Sequence, residues 1–324
     1  MTRPINRVAI IGTGVIGAGW AALFLAKGLE VVATDIAPNA DASLRQFVEA
    51  AWPALKRLGI APGASRSNLK FTTDLPAAVR SADLVQENGP ERIDFKKKLY
   101  RQLDELLPAD VIIASSSSGL TMSEIQSGCP SHPERCVIGH PFNPPHLIPL
   151  VEIVGGVKTS EDTIERAAEF YTAMGKRTIR LHKEVPGHVA NRLQAALARE
   201  VYYLVAEGVV SVADVDAALC WGPGLRWGIM GQVLLNHLGG GQGGIEHFFE
   251  QFTGPITAWW KVLGSPGLTP EVRQKLIDGL HAEVGSRSID ELAAERDEVL
   301  LGLLELRTKS AKAPVVPRET ARVG

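Results

Sequence analysis

The feature that most constrains the fold is a glycine-rich turn near the start of the chain. The run R-V-A-I-I at residues 7–11, apolar after its first residue, leads directly into G-T-G-V-I-G at residues 12–17, and an uncharged, alanine-rich segment comes next. This order predicts a short buried strand, a tight turn and a helix. Gly12 would permit the turn, and Gly17 would let the helix pack closely on the strand. A second apolar run at residues 30–34 completes the opening of an α/β sheet.

The same turn offers a site for the phosphates of a dinucleotide. Gly14 would let the backbone approach a pyrophosphate, and Val15 and Ile16 would open a helix whose N-terminal N–H groups attract anions. Asp35 ends the second apolar run, where a carboxylate can accept hydrogen bonds from a ribose and repel a 2′-phosphate. Residues 36–38 contain no arginine, so the pattern predicts NAD rather than NADP. The alternative is a glycine-rich turn beside a solvated aspartate.

The composition excludes several classes of partner. The 324 residues carry 34 Lys and Arg against 36 Asp and Glu, so no basic field predicts binding to nucleic acid or to an acidic membrane. The three cysteines, Cys129, Cys136 and Cys220, are too few and too scattered for a disulfide framework or a closed zinc site. We therefore expect no metal, and we expect a cytoplasmic location.

The uncharged run from Val8 to Ala26 permits a second interpretation, as a membrane-spanning or secretory segment. Four glycines between residues 12 and 19 argue against a spanning helix. No small-residue cleavage site leads into a polar segment. We therefore expect neither a membrane span nor a secretory leader.

Predicted strands and helices alternate through the first half of the chain. Further strands are predicted at residues 83–87, 111–114, 136–139 and 150–154, with helices at residues 40–58 and 95–107. This alternation predicts an α/β fold with a doubly wound, mainly parallel, Rossmann-type sheet. After about residue 186 the pattern is helical, at residues 189–209, 211–219, 270–283 and 288–306. We predict a Rossmann-like NAD-binding domain at 1–186, an all-α domain at 187–312 and a loose tail at 313–324.

A cluster of chemically useful residues follows the last strands of the predicted sheet. The run G-H-P-F-N-P-P occupies residues 139–145, and Glu152 interrupts an apolar run. A carboxylate in such a run is costly to bury unless it is paired. His140, twelve residues earlier, is a suitable partner, because a carboxylate fixes the imidazole tautomer and stabilises the cation that forms on proton uptake. The alternative is a structural histidine.

These motifs occur in an order that resembles the 3-hydroxyacyl-CoA dehydrogenase superfamily, over nearly the whole chain. They are the glycine turn, E-x-x-x-x-K at Glu91 and Lys96, the serine run at 115–118, H-P-F-N-P-P, and P-G-H-V-A-N-R-L at 186–193. Three further stretches are more similar to the branch that contains L-carnitine 3-dehydrogenase and λ-crystallin (L-gulonate 3-dehydrogenase), namely residues 86–92, 222–227 and 237–252.

The resemblance implies a catalytic role for four residues. His140 would be the general base that takes the proton of a C3 hydroxyl as hydride leaves for the nicotinamide, and Glu152 would orient it and balance its charge. Asn191 and Ser118 would hydrogen-bond the reacting oxygen or the histidine.

The resemblance also implies contacts with the cofactor and with a second copy. Glu91 and Lys96 would lie by the cofactor ribose and phosphates, and the helical domain would form a homodimer. Ser116 and Ser117 stand where the fatty-acid enzymes carry an Asn and a Thr, so this chain departs from that pattern in the serine run.

The substrate stays open at this stage between a small free L-3-hydroxy acid, carnitine-like or gulonate-like, and a 3-hydroxyacyl-CoA. Arg192 and Arg226 are candidate carboxylate partners, although both could form structural ion pairs. Trp227 belongs to a group of four tryptophans whose faces could hold a quaternary ammonium, or which could form a helical core or dimer interface. A protein of another class, a non-catalytic NAD-binding or crystallin-like protein, is the competing interpretation.

Overall fold

The computed structural model describes residues 4–312, the side chains of 310–312 excepted. The described part contains eight strands: β1 Arg7–Ile11, β2 Glu30–Thr34, β3 Leu69–Thr72, β4 Leu84–Glu87, β5 Ile112–Ser115, β6 Cys136–Pro141, β7 Leu150–Gly155 and β8 Arg177–Leu181. Its α-helices are α1 Val15–Ala26, α2 Ala40–Leu58, α3 Leu75–Val79, α4 Ile93–Leu106, α5 Met122–Ile125, α6 Glu161–Ala173, α7 Ala190–Ala206, α8 Val212–Trp221, α9 Pro223–Trp227, α10 Gln232–Gly239, α11 Gly244–Trp260, α12 Pro270–Val284 and α13 Ile289–Lys312.

The strands form one sheet in the order β3-β2-β1-β4-β5-β6-β7-β8. Neighbouring strands run parallel except β6 and β7, which are antiparallel. The chain winds outward from β1 to β3 and then crosses back to β4, so the strand order reverses beside β1. The predicted Rossmann-type sheet is confirmed, and the crevice at such a reversal is where α/β folds bind ligands.

The sheet is buried on both faces because apolar side chains alternate sides along its central strands. In β1, Val8 and Ile10 pack in a cluster with Trp20 and Phe24 of α1, whereas Ala9 packs in the opposite cluster with residues of α4 and β5. Helix α1 is buried along nearly its whole length. The glycine turn is thereby anchored to the centre of the molecule's first unit.

Some elements were not predicted from the sequence. They include the edge strands β3 and β8 and the helices α6, α10 and α11. In β8, the sequence R-T-I-R-L mixes charged, polar and apolar side chains, and Arg177 and Arg180 are exposed, so the strand lacks the apolar run of a central strand. The strands and helices that were predicted are present, with small shifts of their ends.

The chain divides into two compact units, residues 4–191 with 300–305, and residues 192–299 with 306–312. Described residues of the second unit lie in helices or in the turns and irregular segments between them, and none of these residues is in a strand. Its buried apolar side chains between residues 192 and 299 are Val205, Val212 and Val215. None of the described helices has the length and apolar composition needed to cross a membrane. The predicted tail at 313–324 lies outside the described residues.

Candidate active site

The glycine turn between β1 and α1 has the geometry that a nucleotide phosphate needs. Gly12 has a φ of 83°, and a Cβ there would lie 2.7 Å from the carbonyl oxygen of Asn88. A Cβ on Gly17 would lie 1.9 Å from the carbonyl oxygen of Gly12. A Cβ on Gly14 would meet nothing within 4 Å. Gly12 and Gly17 therefore make the turn tight, while Gly14 leaves open space beside the backbone.

The N-terminus of α1 is free to bind an anion. Gly14 is its N-cap and no side chain caps it, so the N–H groups of the first turn keep unused donor capacity. Val15 is 59% exposed and Ile16 is half-buried. Open space beside Gly14 and uncapped donors on a helix axis fit the pyrophosphate of a dinucleotide.

Asp35 follows β2 and reaches the same turn. Its Oδ2 accepts hydrogen bonds from the N–H (2.7 Å) and hydroxyl (3.0 Å) of Thr13, and its Oδ1 accepts one from the N–H of Ala37 (2.9 Å). Partial burial raises the pKa of this carboxyl, but the hydrogen bonds from Thr13 and Ala37 outweigh burial and hold the pKa below its usual range. The half-buried side chain is therefore an anion beside the phosphate site.

His140 and Glu152 are opposite residues of the antiparallel strands β6 and β7. His140 Nδ1 lies 2.7 Å from Glu152 Oε2. The other oxygen, Oε1, accepts hydrogen bonds from the N–H groups of Val189 (2.9 Å) and Ala190 (3.0 Å), at the start of α7. Burial raises the pKa of Glu152, but the bonds from His140, Ala190 and Val189 outweigh it and lower the pKa. An ionised Glu152 can only accept, so Nδ1 of His140 donates and Nε2 keeps its lone pair.

Glu91 accepts hydrogen bonds from the end of the serine run and from the two residues that follow it. Its Oε1 accepts hydrogen bonds from the Ser117 hydroxyl (2.6 Å) and from the N–H groups of Ser118 (3.0 Å), Gly119 (2.7 Å) and Leu120 (3.2 Å). Burial raises the pKa of Glu91, but these bonds and the charge of Lys96 lower it below its usual range. The carboxylate thus fixes the loop that carries the half-buried Ser118.

Lys96 lies beneath that loop. Its ammonium is 2.8 Å from both carboxylate oxygens of the fully buried Glu87 and 3.8 Å from Oε2 of Glu91. Ser115 also donates to Glu87, at 2.6 Å. With its side chain 1% exposed, Lys96 is enclosed by two carboxylates rather than open to the phosphates of a cofactor. In this geometry Lys96 contacts Glu91, the carboxylate that holds the loop.

A second polar network, partly buried, is centred on Ser116 within the serine run. Its Oγ accepts from Trp20 Nε1 (3.1 Å) and from Gln86 Nε2 (2.9 Å), and it donates to Asn88 Oδ1 (2.7 Å). The hydroxyl of this serine, which replaces the residue usual in the fatty-acid enzymes, therefore accepts two hydrogen bonds and donates one within the fold. Sequence reasoning did not identify its partners, because they are at least 28 residues earlier in the chain, in α1 and at the end of β4.

Lys176 is a buried lysine that sequence reasoning also missed. Its ammonium donates to the carbonyl oxygens of Pro145 and Ile148, the latter at 2.8 Å, and lies 5.0 Å from the ring centroid of Trp20. Burial, with a smaller contribution from the charge of Lys27, lowers the pKa of Lys176 to about 7. The side chain ties the proline-rich loop after His140 to the body of the first unit.

His188 is a further residue at the dyad that was not predicted. It is 3% exposed, its Nε2 lies 3.0 Å from the carbonyl oxygen of Ser117, and its ring centroid is 5.1 Å from that of His140. The run at 186–193 contained this histidine, but sequence spacing carries no sign of its contact with His140. Asn191 lies three residues later, in the first turn of α7.

The remaining predicted residues, Arg192, Arg226 and Trp227, belong to the second unit. Arg226 and Trp227 are exposed, and Trp227 Nε1 donates to Gln232 Oε1 at 2.6 Å. The other three tryptophans of this unit are also exposed: Trp221 by 81%, Trp259 by 60% and Trp260 by 69%. The interpretation of these tryptophans as a helical core is therefore wrong. The exposed faces leave the ligand and interface interpretations in place.

Comparison with protein families and known proteins places this geometry in context. The family described as 3-hydroxyacyl-CoA dehydrogenase, NAD binding domain, matches residues 7–185, and the corresponding C-terminal domain family matches residues 187–296. L-carnitine dehydrogenase of Streptomyces griseus is 46% identical over 320 residues, which is 99% of this chain and 94% of that protein.

Two solved structures have the same fold. One is 5-formyl-3-hydroxy-2-methylpyridine 4-carboxylic acid 5-dehydrogenase, described as an NAD⁺-dependent dismutase, with a TM-score of 0.79 and 32% identity, covering 96% of this chain and all of that one. The other is 3-hydroxybutyryl-CoA dehydrogenase of Escherichia coli K12, with a TM-score of 0.64 and 29% identity, covering 86% of this chain and 57% of that one. The chain therefore belongs to the 3-hydroxyacyl-CoA dehydrogenase family of NAD-dependent oxidoreductases that act on CH–OH groups.

Proposed function

We propose that this enzyme oxidises the 3-hydroxyl of a small, free L-3-hydroxy acid to the 3-keto acid, with His140 as general base and L-carnitine as the first substrate to test. The observation that carries the proposal is the buried hydrogen bond between His140 Nδ1 and Glu152 Oε2, 2.7 Å long. It leaves Nε2, which carries a lone pair, as the only basic atom of that ring. A non-catalytic NAD-binding protein would have no use for a base held in this tautomer.

The chemistry follows from these groups. NAD, when bound at the glycine turn, supplies the acceptor for a hydride. His140 Nε2 takes the hydroxyl proton, and the Glu152 carboxylate stabilises the imidazolium that results. Ser118, on the loop held by Glu91, and Asn191, in the first turn of α7, are proposed to hydrogen-bond the reacting oxygen. Proton transfer to a positioned base contributes about 10²–10⁴-fold to the rate.

Cofactor binding is proposed at the turn formed by Gly12, Gly14, Val15, Ile16 and Gly17. Asp35 would accept hydrogen bonds from the adenosine ribose and repel the phosphate of NADP. Glu91, which holds the loop at residues 117–120, is proposed to lie by the cofactor ribose, and Lys96, 3.8 Å from its Oε2, is the cation beside it.

The choice of a free acid over a CoA thioester rests on two supports. The carnitine dehydrogenase of Streptomyces griseus (46% identical) and the pyridine-carboxylate dehydrogenase (32% identical) have names without CoA, and both are more similar to this chain than the CoA dehydrogenase of Escherichia coli is (29% identical). In the second unit, the exposed indoles of Trp221, Trp227, Trp259 and Trp260 offer faces for a quaternary ammonium. Arg192 and Arg226 are proposed carboxylate partners. A gulonate-like acid would use the arginines without the indoles.

The helical domain, proposed at residues 187–312 after the NAD-binding domain at 1–186, is also the proposed surface of a homodimer. Between residues 192 and 299, three valines are the buried apolar side chains, whereas residues such as Val233, Leu238 and Phe249 are more than half exposed. Apolar exposure on this scale is typical of an interface. Light scattering should give twice the 34.8 kDa chain mass.

The cytoplasm is the proposed location, supported by three free cysteines.

The test is NADH formation with a panel of L-carnitine, L-gulonate, L-3-hydroxybutyrate and a 3-hydroxyacyl-CoA. We expect the largest kcat/KM with a free hydroxy acid. His140→Ala should remove most turnover while NAD still binds, as measured by calorimetry. Preference for the CoA thioester would refute the substrate class. Unchanged turnover in His140→Ala would refute the base, and bound NAD without oxidation of any compound would favour the non-catalytic class.

A further inference from the structure

We propose that His188 is a positioning residue that holds the serine loop at residues 117–120 against the ring of His140, and that it does so as the neutral tautomer with its proton on Nε2. The proposal rests on the proposed role of His140 as base. It adds a second histidine to the site, one that acts through its hydrogen bond to Ser117 rather than by touching the reacting atoms.

The tautomer follows from the hydrogen-bond partner. His188 Nε2 lies 3.0 Å from the carbonyl oxygen of Ser117. A carbonyl oxygen can only accept, so Nε2 carries the proton and donates. The other ring nitrogen, Nδ1, is buried and has no hydrogen-bond partner in the described structure. A second proton on Nδ1 would therefore create a buried cation with nothing to accept its hydrogen bond.

The position of His188 links the two parts of the catalytic geometry. Its ring centroid is 5.1 Å from that of His140, and the next residue, Val189, donates its N–H to Glu152 Oε1 at 2.9 Å. Its hydrogen bond to Ser117 reaches the loop whose hydroxyl and N–H groups are held by Glu91. The ring of His188 thus contacts His140, and its Nε2 proton binds Ser117 of the serine loop. Its neighbour Val189 donates to Glu152.

The backbone of His188 indicates that these contacts determine its conformation. Its φ is 50°, in the left-handed region that L side chains rarely adopt, and Asn39 is the other described non-glycine residue with a positive φ. Residues in sparsely populated conformations persist where their surroundings impose them, and they cluster at functional sites. The N–H of His188 donates to the carbonyl of Val185 at 3.0 Å, which closes the turn that presents the ring.

The charges around His188 favour the neutral form. Three titratable groups face it: His140 from β6, Glu152 from β7 and Glu91 from the loop after β4. Burial lowers the pKa of His188, and the charge of His140 lowers it further, while the carbonyl of Ser117 and the two carboxylates act in the opposite direction. The net effect keeps the ring uncharged at neutral pH. An uncharged neighbour does not oppose the positive charge that His140 gains in each turnover.

Two matched variants test the donor. His188→Gln keeps an N–H donor that can reach Ser117 but cannot become charged, and His188→Phe keeps a ring against His140 but has no donor. For His188→Phe we expect kcat to fall at least about tenfold, because small misplacements at a reacting centre cost up to about 10²-fold. The KM for NAD should change by less than about twofold. Deuterium at C3 of the substrate should slow His188→Phe more than the wild type, and His188→Gln should recover most of the rate.

Three results overturn the proposal. They are a kcat for His188→Phe close to that of the wild type, an equal loss in both variants, and a loss with an unchanged isotope effect. Thermal melting checks that each variant is folded.

A measurement without substrate tests the tautomer separately. In the wild-type protein labelled with ¹⁵N histidine, the signals of His188 should show a protonated Nε2 and a bare Nδ1, and those of His140 should show the reverse. His188→Gln identifies the His188 signals by their loss. The opposite tautomer for His188 overturns the proposal. This measurement stands even where the whole panel of hydroxy acids fails, an outcome that would refute the proposed function alone.

Discussion

Glu152→Gln is the change that most directly tests the assignment of the base. The substitution keeps the shape of the side chain and removes its charge. Oε1 of Glu152 accepts two backbone N–H groups, from Val189 and Ala190. The amide oxygen of glutamine must occupy that position, because an NH₂ group there would face two donors. The NH₂ group is then directed at His140, where Oε2 now lies 2.7 Å from Nδ1.

The consequence is a change of tautomer. Opposite an NH₂ donor, Nδ1 of His140 has to accept, so the proton moves to Nε2, the atom that should receive the substrate proton. Replacing a carboxylate by an amide in such a pair costs about 10⁴-fold in kcat in a serine protease, and a general base contributes about 10²–10⁴-fold. We expect kcat to fall by about 10³–10⁴-fold, which corresponds to about 4–5 kcal/mol of transition-state stabilisation.

The assay is NADH absorbance under saturating NAD, with the hydroxy acid that the panel identifies. The stability of the variant should fall only slightly, because the two backbone hydrogen bonds remain and the lost charge at the start of α7 contributes about 0.3–1 kcal/mol. The matched control is Glu161→Gln, which removes the charge of an exposed glutamate paired with Arg180 and should leave kcat unchanged. A folded Glu152→Gln enzyme with kcat within a few-fold of the wild type would refute the reasoning.

Three further changes test other parts of the first unit. Asp35→Asn should raise the ratio of NADP to NAD use about tenfold or more, because it removes one charge that repels a 2′-phosphate, and kcat/KM with each cofactor measures this; an unchanged ratio would contradict the assignment. The pKa of Glu91 lies below 4.5 in the folded protein, so its stabilising effect is present above pH 4.5 and is lost as the pH falls through the lowered value. Urea unfolding of Glu91→Gln should therefore show a weaker acid dependence than the wild type, and equal slopes would count against it. The pKa of Lys176 falls from 10.5 to about 7 on folding, so the free energy of unfolding should rise between those pH values by about 1.4 kcal/mol per pH unit relative to Lys176→Met; parallel curves would show that the lysine is charged in the fold.

The sequence predicted those parts of the site that depend on the succession of residues along a short stretch of chain. The glycine turn follows from a strand, a G-x-G-x-x-G and a helix in succession, and each glycine has the close approach or open space that its spacing indicates. The pairing of His140 with Glu152 also follows, because a costly carboxylate in an apolar strand calls for a partner nearby.

The parts that the sequence did not predict depend on which elements meet in space. The resemblance to the family implied a cofactor contact for Lys96, yet α4 directs it into the interior, where it pairs with Glu87 at the end of β4. His188 contacts Ser117, which is 71 residues earlier, and no local pattern encodes that meeting. The edge strand β8 was missed because its two exposed arginines and one threonine leave neither an apolar run nor a regular alternation.

The antiparallel alignment of β6 with β7 determines where residues can be inserted or deleted without loss of activity. His140 stands opposite Glu152 because the ladder between the strands fixes their alignment. Inserting or deleting one residue within either strand would shift the ladder by one position and turn Glu152 to the other side of the sheet, leaving Val151 or Ile153 facing the base. Within the connection, residues 144–147 are buried and Lys176 donates to the carbonyl groups of Pro145 and Ile148, whereas Asn143 is exposed and lies outside the ladder. Random single-codon insertions across residues 136–155, selected for growth on the substrate, should therefore be recovered beside Asn143 and be lost from both strands.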